Sequence, residues 1–384
     1  MISISPGRSA LRAQGFSLIE LMVGLTIGLL VILVAGSAYV GTSGTIRGLD
    51  DRAAIEERGR VALDVLSDAA QKAGFFGNFS VLTGMEAIKN TDLQHIFDPN
   101  ASTSSPVTVP VPPQIMIDTV LQGAVASSTS VPLGAGSSIT LAPGSHALTV
   151  QYGGAGATLT VDMSDGNSDI TVANGVKVSY NSQLFVISDT RKGTLFRVDN
   201  GGAVCTEVPA TFTSLQHALD RVGPFLSTFT RGAQVMSFES ETYFVGTTNA
   251  GTANAISNLY VLDRKKACPG SIPSPLVANV EDMRLAFGLT ASTTNVDEVI
   301  SFKNAGAMSA TDWPLVRSVV VNLLVRSDQQ TGAGAANAPA FEYDATALAF
   351  LPKTTGTSAD NYIRTPFTKT VAVRNAMRIR SVDN

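Results

Sequence analysis

One lone carboxylate, three histidines, two cysteines and a run of aspartates are the side chains whose chemistry must be placed first. Glu20 stands alone in "FSLIELMVGLTIGLLVILVAGSAYV", an apolar run from Phe16 to Val40. A charge there either stays wet near the end of the run or meets a positive group inside an assembly. His95, His146 and His217 are far apart in sequence and complete no H-E-x-x-H helix. There is no G-x-S-x-G elbow, no G-x-x-x-x-G-K-[ST] phosphate loop and no dinucleotide fingerprint. Asp162, Asp165 and Asp169 in "DMSDGNSD" surround a glycine, but the spacing does not fit D-x-[DN]-x-[DN]-G. A turn with solvated aspartates is therefore expected rather than a calcium loop. The sequence predicts no enzyme activity, no metal and no cofactor.

Cys205 and Cys268 lack C-x-x-C spacing and have no neighbouring histidine, which argues against zinc. In an exported chain they would form a disulfide closing a loop of roughly sixty residues, with a stabilisation of about 3–4 kcal/mol. Buried free thiols are the alternative. With 27 Lys and Arg against 31 Asp and Glu, the net charge is −4. The longest basic run is Arg264-Lys265-Lys266, so nucleic acid is not an expected partner.

The elements that must position these residues begin with the apolar run. At 1.5 Å per helical residue it reaches about 37 Å, enough to cross a bilayer. Arg8 and Arg12 precede it and would hold the N-terminal side in the cytoplasm. The small residues of "VAGSAYV" leave open cleavage after the run, as in an ordinary secretory signal. Gly24 and Gly28 form a G-x-x-x-G step, which plain membrane composition also accounts for. Beyond it, Ile55, Ala62, Leu66, Ala69 and Ala73 recur at helical spacing, with Asp51, Glu57, Arg58, Asp64 and Asp68 on other faces. This predicts an amphipathic continuation over 41–76, loosened near Gly41–Gly48 and stopped by Gly74 and Gly77. Glu56-Glu57-Arg58 reads as a solvated helix face.

"GFSLIELMVGLTIG" resembles the class III signal of type IV prepilins and type II secretion pseudopilins. The resemblance implies a leader over 1–15 and cleavage by a prepilin peptidase between Gly15 and Phe16. It further implies N-methylation of Phe16 and a role for Glu20 in assembly. In a bundle of such helices, Glu20 of one subunit would neutralise the new α-ammonium of its neighbour. Each charge is unfavourable alone in lipid, and pairing lowers both costs.

From residue 77 onward the pattern is β-like. Residues 99–138 are rich in Pro, Ser, Thr and Gly and read as a long loop or insertion. "HALTVQYG", "GTLFRVDNGG", "AQVMSFESETYFVGT", "NLYVLDR", "LVANVEDMRLAFGL", "WPLVRSVVVNLLVRS" and "YIRTPFTKTVAVRN" read as strands. "VKVSYNSQLFVISD" reads as two strands joined near Asn181-Ser182, and "SDQQTGAGAANAPA" as a mobile loop. Trp313 is either a contact residue or an anchor of the sheet core.

Several of these phrases are similar to the PilW family of minor pilins: "ERGRVALDVLSDAAQKAGFFGN", Val280–Gly288, Trp313–Ser327 and Arg364–Asn375. Asn78 stands where such relatives place a cysteine. Residues 90–145 and 205–255 carry no recognisable motif. The resemblance implies an α+β, pilin-like fold, with a long N-terminal helix on a β-rich head containing antiparallel sheet. The helix's membrane half would be 16–40, and the head, over 77–384, would be periplasmic. It implies a minor pilin, anchored once in the inner membrane and later part of the pilus fibre, that primes assembly near the tip and supports adhesion and twitching motility. Its partners would be the prepilin peptidase, other minor pilins, the major pilin and a large tip adhesin. The alternatives are a type II secretion pseudopilin or a membrane-tethered enzyme or ligand-binding protein.

Overall fold

The computed structural model describes residues 17–77, 79–80, 121–127, 131, 133, 137–166, 168–180, 183–189, 193–198, 207–216, 228–252, 255–263, 272–291, 298–309, 311–328, 339–357 and 362–374. Arg8, Arg12, Gly15, Phe16, Asn78, His95, Cys205, His217 and Cys268 lie outside them, as does most of the 99–138 stretch. The disulfide expectation therefore falls outside the described residues. Two compact units divide the chain between Arg52 and Ala53.

One helix, α1, runs from Leu18 to Lys72 without interruption. The expected loosening near Gly41–Gly48 does not occur. A helical glycine costs about 1 kcal/mol relative to alanine, but its N–H and C=O still serve the backbone ladder. Thr42 adds a hydroxyl bond to the carbonyl of Ala38 (2.8 Å) within the stretch. Past Lys72 the chain leaves the helix, and Gly74 takes φ +74°, where a side chain would be strained.

Ile55, Ala62, Leu66, Ala69 and Ala73, the stripe predicted from spacing, are all buried. They join Leu63 and Ala70 in one core with two sheets. The larger sheet has eight strands, numbered in chain order: β3 (Leu121–Val125), β4 (Ile139–Leu141), β5 (His146–Thr158), β7 (Leu184–Ser188), β8 (Gly193–Arg197), β10 (Gln234–Thr248), β11 (Ile256–Asp263) and β12 (Ser274–Ala278). Its main path runs β12-β11-β10-β5-β3. The second sheet has the order β14 (Ser301–Asn304), β13 (Val280–Leu289), β15 (Val316–Arg326), β18 (Arg364–Ala372), all antiparallel. Leu148, Val150, Tyr243 and Leu259 from the first sheet meet Met283, Leu285, Phe287, Val319, Val321 and Leu323 from the second. Gly59 of the helix faces β18, and a Cβ there would collide with the Phe367 ring. Asp64 takes an ion pair from Lys369 of the same strand (2.9 Å). The edge strands β12 and β18 each contain a proline, Pro275 and Pro366.

Two expectations about strands change, while the two strands expected around Asn181-Ser182 are both present. Residues 121–125, inside the stretch read as loop, form β3, which pairs with β5 and buries Leu121. The two strands flanking Asn181-Ser182 are β6 (Ile170–Tyr180) and β7, and they part company: β6 pairs with β9 (Glu207–Leu215), whereas β7 pairs with β8 and β10. The phrase read as one mobile loop begins with Ser327 fixed to Ile363 by backbone and hydroxyl bonds. It leads into a hairpin, β16 (Pro339–Asp344) and β17 (Ala349–Thr357), that the sequence reading missed. Strands β6 to β9 gather a second core around Phe185, Phe196, Phe229 and Leu215. Phe75–Phe76 (β1) and Phe79–Ser80 (β2) make a short ladder after the helix.

Leu66 is fully buried where helix and sheets meet. Leu66→Ala should lower unfolding free energy by about 3 kcal/mol, through lost burial plus the cavity left behind. Urea denaturation monitored by circular dichroism measures it. A change below about 1 kcal/mol would mean that the helix does not carry the core.

Candidate functional site

The residues expected to matter most are at the start of α1. Ser17 precedes the first helical turn and Glu20 lies within it. The Ser17 amide donates to a carboxylate oxygen of Glu20 (3.0 Å), and the Glu20 amide donates to the Ser17 hydroxyl (3.2 Å). This is a reciprocal capping box of the S-x-x-E kind. It satisfies two of the amides that a helix start leaves without intrahelical partners. It also sets the carboxylate against the positive end of the helix dipole. The glutamate in the apolar run thus has a local partner that the sequence reading overlooked, although the S-x-x-E spacing was there to be seen.

The run that follows, Leu18–Val40, is long and apolar enough to cross a membrane and has none of its length buried in the protein. Its two aliphatic hydroxyls are bonded to the helix backbone. Thr26 donates to the Val23 carbonyl and Ser37 to the Val34 carbonyl, each at 2.8 Å. Polar atoms satisfied within the helix lower the cost of placing it in lipid. Gly24 and Gly28 have nothing within 4 Å of their would-be Cβ atoms, leaving that face of the helix open.

In the head, the three motif-bearing segments of the sequence become neighbouring strands, β13, β15 and β18. Arg326 and Arg364 sit directly opposite each other in register, an arrangement that like charges make unfavourable. Glu281 resolves it. It accepts two bonds from Arg364 (2.6 and 3.0 Å) and one from Arg326 (3.5 Å). Arg326 also covers the Tyr362 ring at 4.4 Å. Asp328, just beyond β15, takes both Arg58 from the helix and the Asn279 side chain. Each bonded pair joins residues far apart in sequence, so the cluster was invisible there. Trp313 settles as an anchor of the core: it is partly buried and meets Phe287 edge-on at 5.1 Å.

The aspartates of "DMSDGNSD" accept hydrogen bonds from the protein itself, one within the segment and two from distant residues. Asp162 accepts the Arg231 amide (2.6 Å), Asp165 accepts the Ser168 hydroxyl (3.1 Å) and Asp169 accepts Ser214 (3.5 Å). No group of three or more metal-ligating side chains converges among the described residues. A cleft of 390 Å³ between β6 and β10 is lined by Lys177, Gln183, Ser237, Glu239 and Asp263. The Ser237 hydroxyl is committed to Glu239 (2.7 Å). Nearby, Tyr243 donates to Glu241 (2.7 Å). Burial, then the Glu241 charge, pushes the hydroxyls of Tyr152 and Tyr243 up, so both remain protonated donors.

Residues 242–375 match the family described as Type IV Pilus-assembly protein W, and residues 11–36 match the Prokaryotic N-terminal methylation motif. The first match contains β11 to β18 and the Glu281 cluster, and the second contains the capping box. No curated protein matches the chain. Among solved structures, the Type IV-like pilin TTHA1219 from Thermus thermophilus is similar over 52% of this chain and 86% of that chain, at 15% identity and a TM-score of 0.21. An overlap at that score is too slight for comparing the two heads.

Replacing Glu281 with alanine leaves two opposed, partly buried arginines. The variant should lose about 2–3 kcal/mol of stability, as when one partner of a largely buried ion pair is removed. Further replacing Arg364 by Met should recover part of that loss. Denaturation of the two variants in parallel checks both expectations.

Proposed function

As the chain is a type IV pilin of the PilW family, we propose that it acts as a minor pilin that helps to prime and build the pilus, in a tip-associated complex supporting adhesion and motility. The observation that carries this reading is the pairing of a methylation motif at residues 11–36 with a PilW domain at residues 242–375. A tether alone would not need that pairing. The PilW domain also favours the pilus over type II secretion.

In this reading the leader is cut after Gly15 on the cytoplasmic face and Phe16 becomes the N-methylated terminus. The helix waits in the inner membrane with the head in the periplasm, then enters the fibre. Glu20 offers its carboxylate to the ammonium of a neighbouring subunit. The local bonds to Ser17 support this role, because they hold the carboxylate at the helix start, partly neutralised, before a neighbour arrives. Partners are the prepilin peptidase, other minor pilins and the major pilin, with a large adhesin at the tip. The family is one of structural subunits, and no residue is assigned to catalysis.

Mass spectrometry of the mature protein should find an N-terminal methyl-Phe16. An intact leader, or cleavage after Val40, would defeat the reading. In a deletion strain scored for surface pili, the wild-type gene should restore piliation. Glu20→Ala should insert in the membrane at the wild-type level yet enter sheared pili at least tenfold less, and equal incorporation would remove Glu20 from assembly.

A further inference from the structure

Strand β13 is paired with β15 along its length, but on its other side β14 reaches only residues 286–289. Met283 and Leu285 precede that stretch, and side chains from the larger sheet supply what a strand would. The Ser145 hydroxyl accepts the Met283 amide (3.0 Å) and donates to the Met283 carbonyl (3.2 Å). His146 Nδ1 accepts the Leu285 amide (2.9 Å). The turn at Gly144, with φ +71°, delivers both residues, and a Cβ there would approach Arg284 to 3.3 Å. Ser145 and His146 are buried. They join the two sheets by direct hydrogen bonds beyond the apolar contact of the core.

We infer that Ser145 and His146 form an acid-sensitive latch between the two sheets of the head, closed while His146 is neutral and released when it takes a proton. The tautomer follows from the geometry: Nδ1 accepts, so the ring proton is on Nε2. A second proton must go to Nδ1, where it would face the Leu285 N–H. Donor would then oppose donor, and the bond is lost. The surroundings do not welcome the charge. Arg284 of β13 lies beside the ring, and its Nε is held by Asp282 at 2.9 and 3.1 Å. Tyr343 of β16 lies under the Arg284 guanidinium at 5.8 Å. From β3, the residue opposite His146 is the uncharged Val125. Burial first, and the Arg284 charge second, hold His146 down to about 4 from its usual 6.5. A depressed histidine favours the closed state above the free-ring value. That contribution falls as pH drops below about 6.5 and is gone below about 4, the unlatched ring binding the proton more tightly. The latch does not depend on the pilin reading and stands or falls separately from it.

The test is hydrogen exchange by mass spectrometry on the full chain in detergent micelles from pH 7.5 to 3.5, corrected for intrinsic exchange. Protection over residues 280–289 should fall by up to about tenfold per pH unit between 6.5 and 4, relative to β10. His146→Gln, whose side-chain oxygen accepts without titrating, should keep that protection flat across the range. Protection in the wild type that does not change with pH, or an equal fall in the Gln variant, would overturn the latch. Should the Gln variant fail to fold, NMR titration of the wild-type ring decides: a midpoint near 4 supports the latch and one near 6.5 removes it.

Discussion

The head depends on how closely one face of α1 lets two sheets approach. That face is mostly alanine, at positions 62, 69, 70 and 73, with Ile55 and Leu66 as its large members at full burial. Small residues bring sheet side chains down onto the helix backbone, and Gly59 does the same for the Phe367 ring. The large apolar volume then comes from the strands: Phe287, Met283, Leu285, Val319, Val321 and Leu323. A bulkier helix would push the sheets apart and strain the ladder of bonds at Ser145 and His146 as well as the Glu281 cluster. Apolar packing sets the distances, and the polar contacts are made at those distances.

Glu20 shows how two demands meet in one side chain. Before any neighbour is present, a carboxylate in an apolar helix needs a donor, and Ser17 provides one at the cost of a single ordered residue outside the helix. The donor is an uncharged amide, and the carboxylate keeps capacity for further hydrogen bonds. In the proposed assembly role, an ammonium would join the arrangement without first expelling a competing cation.

Much of this was legible in the sequence. The periodic stripe from Ile55 to Ala73 identified the buried helix face, because a 3.6-residue repeat is set by the helix alone. The phrases that became β13, β15 and β18 stood out as strand-like apolar runs. Whatever depended on a distant partner did not stand out. Glu281 needs Arg326 and Arg364, and nothing local to any of them says so. His146 looked like an isolated histidine because its partner is a backbone amide, Leu285, in another sheet. Strands β16 and β17 escaped since Pro339 and Pro352 break their pattern, and Leu348 holds φ +53° at the turn, where glycine or asparagine is the usual signal. β3 was hidden within polar surroundings. The loosening expected at Gly41–Gly48 failed for the opposite reason, since local propensity was given more weight than the continuous backbone ladder.

The prolines at the sheet edges have a consequence for how such a chain can be crowded safely. Proline is confined to edge strands, strand starts and bulges, and Pro275 in β12, beside a register shift, and Pro366 in β18 each remove one donor from an edge strand. An uninterrupted row would template strand after strand from other molecules, as amyloid does. In the proposed pilin role, a subunit crowded beside its relatives would have two routes to self-association, through its apolar helix and through its sheets. In that role, blunting two sheet edges would favour association through the helix over aggregation through the sheets.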